Sequence, residues 1–117
     1  MSIIVVVRQP GEQASAREVE PTLVELRSVI GGGYLECIQT VHGVFEGAVL
    51  NLFVDEDARQ KKLAPNIECL DGQPPLLGTV LAVKTNPDGK DVGLVGDEVE
   101  RVIQLINSYK SAQPSDN

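Results

Sequence analysis

Residues 31–37 read Gly-Gly-Gly-Tyr-Leu-Glu-Cys, and the way the three glycines are read decides the fold. Upstream, Pro21-Thr22 opens a segment in which Leu23, Leu26 and Ile30 recur at spacings of three and four, one face of an α-helix. Downstream, Tyr-Leu-Glu-Cys-Ile-Gln-Thr-Val, residues 34–41, reads as a strand. The glycines therefore follow a helix and do not lead into one. A phosphate-binding glycine loop needs the opposite order, because free N–H groups and the positive end of the dipole lie at a helix N-terminus. Gly31 is expected at positive φ as the residue that ends the helix, with Gly32 and Gly33 turning the backbone into the strand. On this reading the loop sits among orphan carbonyls at the negative helix end. That suits a ligand which donates hydrogen bonds.

The flanking sequence extends the pattern in both directions. Ile3–Val7 is a β-branched run closed by Gln9-Pro10-Gly11, and Arg17–Glu20 forms a weak return strand. After the 34–41 strand, His42-Gly43 marks a turn and Phe45–Val54 a second strand running back. Asp55-Glu56-Asp57 starts a short polar helix through Leu63, stopped by Ala64-Pro65-Asn66. Gly78–Val83 is a strand, Asn86-Pro87-Asp88-Gly89 a tight turn, and Val92–Val95 its short partner. Asp97 caps a last helix whose Val99, Val102, Ile103 and Ile106 form an i, i+3, i+4, i+7 stripe. The order predicts one α+β domain over residues 1–110. An antiparallel-rich sheet of hairpins has one apolar face, covered by two amphipathic helices, with one short helix besides. Residues 111–117 are expected to fray.

Length and charge narrow the function classes. A chain of 117 residues, 42% hydrophobic, can bury a core without metal or disulfide. Two cysteines and an N-terminus with neither a basic n-region nor a long apolar run point to a reduced, cytoplasmic protein, with Cys37 and Cys69 as free thiols. A net charge of −7 gives no counterion release on nucleic acid and disfavours an acidic membrane surface.

Candidate chemistry is sparse. Asp55-Glu56-Asp57 lacks the glycine of a calcium loop, Gln60 standing in its place, so an acidic first helical turn accounts for it without a metal. His42, the one histidine, falls in a turn and reads as solvated. Cys37 and Cys69 lack zinc-ligand spacing, and Cys37 reads as a small core residue. No serine, cysteine or metallohydrolase signature is present, and no cofactor is implied. The best polar recognition cluster is Gly32, Gly33, Tyr34, Glu36 and Asn66, with Tyr34 and Glu36 on one side of the strand beside the glycine turn.

Four segments together carry a family resemblance: GGYLE after the Leu-containing helix, VDE at a strand end, KKLAPN, and GTVLAV. In that order they resemble a family catalogued as domain of unknown function 3846, found in phages, plasmids and their bacterial hosts. Gly32, Gly33, Tyr34 and Glu36 match its first element, Asp55 and Glu56 its second, Pro65 and Asn66 its third, and Gly78 its last. The similarity runs from the first strand to about Val83; Ala64 and Ile67-Glu68-Cys69 depart from the pattern. It implies a mobile-element setting and no particular activity.

Two function classes follow. The first is a non-enzymatic accessory protein that captures a small, nucleotide-derived ligand, with Tyr34 stacking on a base. The alternative is a protein–protein module that inhibits a host factor through its acidic surface. An enzyme using Glu36, Asp55 and Glu56, all on one hairpin, ranks third. The apolar stretch VFEGAVLNLFV, residues 44–54, further predicts a homo-oligomer that hides a sheet edge.

Overall fold

A computed structural model describes residues 1–68, 72 and 74–112. The elements run β1 (Ile3–Arg8), β2 (Ser15–Val19), α1 (Leu23–Val29), β3 (Leu35–Val41), β4 (Val49–Asp55), β5 (Pro65–Ile67), β6 (Leu76–Leu77), β7 (Val80–Thr85), β8 (Asp91–Val92) and α2 (Glu98–Ser108). Among the described residues six strands make one sheet in the order β2-β1-β7-β4-β3, with β8 beside β7, and β5 and β6 make a second, two-stranded one. Every pairing is antiparallel. The architecture is α+β, as the hairpin pattern predicts.

The two helices do not share a face. Val5 and Val7 pack with Leu81, Val83 and, from α1, Leu26 and Ile30. Val6 and Ala82, their alternates along the same strands, pack with Leu50, Leu52 and, from α2, Val102 and Ile106. Successive strand residues point to opposite faces, so α1 and α2 cover the sheet from opposite sides. The expectation of a single covered face is corrected here. Its sequence cause was visible: Ile3–Val7 is apolar without alternation, the pattern of a strand buried on both faces.

Two element boundaries also differ. The 55–63 segment is one turn, not a helix. The Asp55 carboxylate accepts the Asp57 N–H, and Lys62, at φ 54°, closes the turn with bonds from Lys62 N to Arg59 O and Leu63 N to Ala58 O. That Schellman closure ends propagation before a second turn can form. Phe45 lies in the β3–β4 connection, outside the strand. The apolar strand β4 lies between β7 and β3, so it is no edge, and the reason given above for a homo-oligomer does not apply.

Arg8 ties the first strand to the last helix. Its side chain is buried and donates to the carbonyls of Ile106 (2.7 Å) and Tyr109 (3.0 Å) and to Ser111 Oγ (2.6 Å). Burial lowers its pKa, while the negative end of the α2 dipole favours the charged guanidinium. Ser111 further bridges to Ile67, and the Ala112 N–H bonds Asn66 O, so the chain is held past residue 110. Residues 113–117, the rest of the expected tail, lie outside the described residues. Among the described residues no helix is long and apolar enough to cross a membrane.

Candidate functional site

The glycine turn is built from the end of α1. Thr22 caps the helix by accepting the Glu25 N–H on Oγ1, and Leu26 and Ile30 bury its inner face. Gly31 and Gly32 sit at φ 97° and 95°, and their N–H groups close on Ser28 O and Arg27 O. This is a Schellman ending with Gly31 as the left-handed residue, as expected from sequence. The electrostatics differ from expectation. Those two helix-end carbonyls are capped, and Arg27 folds over the turn, donating from Nε to Gly33 O (3.0 Å) and from an Nη to Gly32 O (3.1 Å). Its guanidinium lies 4.1 Å from the centre of the Tyr34 ring, which remains 60% exposed. The site is therefore a cation backing an aromatic, not an electronegative helix end.

Behind the turn stands Asp55. A Cβ on Gly33 would overlap its carboxylate, so glycine is required there by close approach. The carboxylate is 4% exposed. It accepts Lys61 Nζ on Oδ2 (2.6 Å) and the Asp57 N–H on Oδ1 (2.8 Å). Burial pushes the Asp55 pKa up, but those hydrogen bonds and the Lys61 charge outweigh it and hold the pKa below the usual value. The Glu56 N–H then donates to Tyr34 O (2.9 Å), joining the acidic turn to the glycine turn. The Asp55 carboxylate thus serves local structure, whereas Glu56 and Asp57 take part through their backbone N–H groups. Among the described residues no group of three His, Cys, Asp or Glu side chains is placed to hold a metal ion.

The remaining sequence-selected residues are dispersed. Glu36 is exposed on the wall of a groove of about 500 Å³, separate from the Tyr34 ring. Its other walls come from the 56–60 turn and from Pro74–Leu77. Asn66 is a correction: it is fully buried, away from Tyr34. Its Nδ2 donates to Arg8 O (2.7 Å) and Gly78 O (2.8 Å), stitching β5 to β1 and to the turn before β7. Its family match at that position therefore coincides with a core hydrogen-bond role. Cys37 is a free and exposed thiol, not a core residue, because α1 stops short of β3 and Sγ lies beside Asn51 Oδ1 at 3.7 Å. Cys69 lies outside the described residues. His42 is exposed, as expected of a turn residue.

Sequence reasoning passed over Arg27 and the Asp55–Lys61 pair. A basic residue in the last helical turn, four before the capping glycine, was a readable signal for Arg27, since cations favour that end. Nothing local signals that Asp55 meets Gly33; the contact arises from β3–β4 register, which pairs Leu35 with Asp55.

No curated protein and no solved structure matches the chain. A family model described as a domain of unknown function (DUF3846) matches residues 1–107, which reaches through the β-sheet and nearly all of α2, well past Val83. The chain belongs to the domain of unknown function 3846 family.

Proposed function

We propose that this chain is a non-enzymatic accessory protein, of the mobile-element kind its family resemblance implies, that captures a small nucleotide-derived ligand at the glycine turn. One observation carries the reading: Tyr34 is 60% exposed yet fixed, its ring backed by Arg27 and its backbone bonded to Glu56. An exposed ring with little freedom left to lose is a low-entropy platform for a planar group. Arg27 adds a positive charge beside it, and Val24, Ser28, Gly31 and Gly32 complete a shallow recess around that charge. A base stacked on Tyr34 with an anionic group near Arg27 fits this better than the purely donor-type ligand argued from sequence. Capture without turnover needs no more chemistry than this turn supplies.

The test is calorimetry against cyclic and linear nucleotides. Tyr34→Ala is expected to weaken binding by roughly 1–3 kcal/mol, the scale of base–aromatic stacking, while Tyr34→Phe retains it. Failure of every nucleotide to bind the wild-type protein would remove the reading.

A further inference from the structure

We propose that the glycine turn selects a nucleotide carrying one negative charge, a base joined to a phosphodiester, over phosphomonoesters and polyphosphates. The inference rests on the reading of Tyr34 and Arg27 as a nucleotide platform and adds to it a rule about ligand charge. Three observations carry it. First, Arg27 has only part of its guanidinium to give. A guanidinium holds five N–H donors in a rigid fork. Nε is bonded to Gly33 O (3.0 Å) and Nη2 to Gly32 O (3.1 Å), so one edge of the fork is used in closing the turn. The other edge, formed by Nη1 and the second N–H of Nη2, has no hydrogen-bond partner among the described residues. Two parallel donors match two oxygens, and a phosphodiester presents two non-bridging oxygens that share a single charge. Ser28 lines the same recess, and its hydroxyl, also without a partner among the described residues, adds one more donor.

Second, the recess has no further positive charge. Among the described residues that line it, Arg27 is the one ionisable side chain. Lys61, behind the turn, is held by the Asp55 carboxylate (2.6 Å). Third, the segments that meet at the turn carry Glu25, Glu36 and Glu56. All three are exposed and, among the described residues, none has a cationic partner. Glu56 is joined to the site directly, through its N–H on Tyr34 O (2.9 Å). The first negative charge on a ligand therefore meets Arg27. A second finds no cation left, and faces these carboxylates in a molecule of net charge −7.

The experiment is calorimetry of the full chain at low salt, with EDTA, at a pH where a phosphomonoester carries two charges. The ligands are an adenine and a guanine series: nucleoside, cyclic monophosphate, monophosphate, methyl ester of the monophosphate, diphosphate and triphosphate. The monophosphate and its methyl ester differ by one charge and little else, so that pair isolates the rule. The two diesters are expected to bind tightest. The nucleoside, lacking the anion, should bind about tenfold more weakly, the effect of a lost charge-assisted hydrogen bond. Each charge beyond the first should weaken binding by about threefold or more, and the spread should narrow as salt is raised. Arg27→Gln should bring the diesters down to the nucleoside. Because Arg27 also closes the turn, a second variant, Glu36→Gln/Glu56→Gln, changes only exposed side chains and should narrow the gap between monophosphate and methyl ester. A monophosphate or triphosphate that binds as tightly as the methyl ester would overturn the charge rule and leave the platform standing. A nucleoside equal to the diesters would do the same. Binding by no member of either series would remove the platform itself, and the rule with it.

Discussion

Val7, Leu81, Phe53 and Cys37 are neighbours in one row across four strands, yet their surroundings change steadily along it. Val7 and Leu81 are buried, Phe53 is half-buried, and Cys37 is exposed. The row lies on the face that α1 covers, and α1 is only seven residues long, so its cover ends before β3. At the sheet centre, apolar contact on both faces decides the structure. At the β3 edge, order comes from specific polar links, such as Thr40 Oγ1 to Asn51 Oδ1 (2.7 Å) and Asn51 Nδ2 to Thr85 Oγ1 (2.9 Å). The difference separates a region whose residues maintain the fold from one whose exposed groups remain available for recognition.

The comparison breaks most sharply at its two ends. Leu81→Ala should lose about 2–5 kcal/mol in chemical denaturation, the range for a large side chain removed from a packed core. Cys37→Ala, in the same row, should change stability by less than about 0.5 kcal/mol. Similar losses at both positions would mean that the edge is packed as tightly as the centre.

Gly33→Ala should come next, at roughly 1–3 kcal/mol, because the Asp55 carboxylate that a Cβ would meet is held from two sides and cannot yield cheaply. In an Asp55→Gly background the same substitution should be nearly neutral. A penalty that stays unchanged would place the cause elsewhere than in that contact.

The smallest effect concerns acid. The Asp55 pKa is depressed in the fold, so its stabilisation is complete above the unfolded value of about 3.9 and is lost as pH falls through the lower folded value. Asp55→Asn should therefore be less stable at neutral pH and show a flatter decline in acid. The slope that remains is assigned to Glu98, whose burial is likewise outweighed, by the Val95 N–H and Lys84. Curves of wild type and variant that run parallel into acid would refute the assignment to Asp55.

Much of this fold was legible in the sequence. The Thr22 cap, the Gly31 ending and the stripe of α2 are local patterns, and each is read within a single turn of chain. The placement of the helices was less so, although the unbroken apolar run of β1 announced two covered faces. The candidate site was legible only at Tyr34 and its glycines. Asn66 looked like a recognition group because an amide in a turn usually faces water, and only tertiary structure shows its Nδ2 bonded to Arg8 and Gly78. Asp57 was read as the start of a helix; the fold instead makes its N–H a donor to Asp55, which no spacing rule would reveal.

Arg8 has a consequence for how the molecule is made. Its hydrogen bonds reach residues 98 to 103 positions later, and β1 also waits for β7 to fill its inner side. During synthesis β1 can pair early with β2 alone, leaving an apolar run with one edge bare and a guanidinium without its carbonyls. Contacts this distant in sequence slow folding, since a long loop must close before they form. The apolar run of β1 therefore lacks its second edge partner until β7 has been made, and Arg8 lacks its carbonyls until α2 has followed, whereas the turn that carries Tyr34 closes on bonds within residues 27–56.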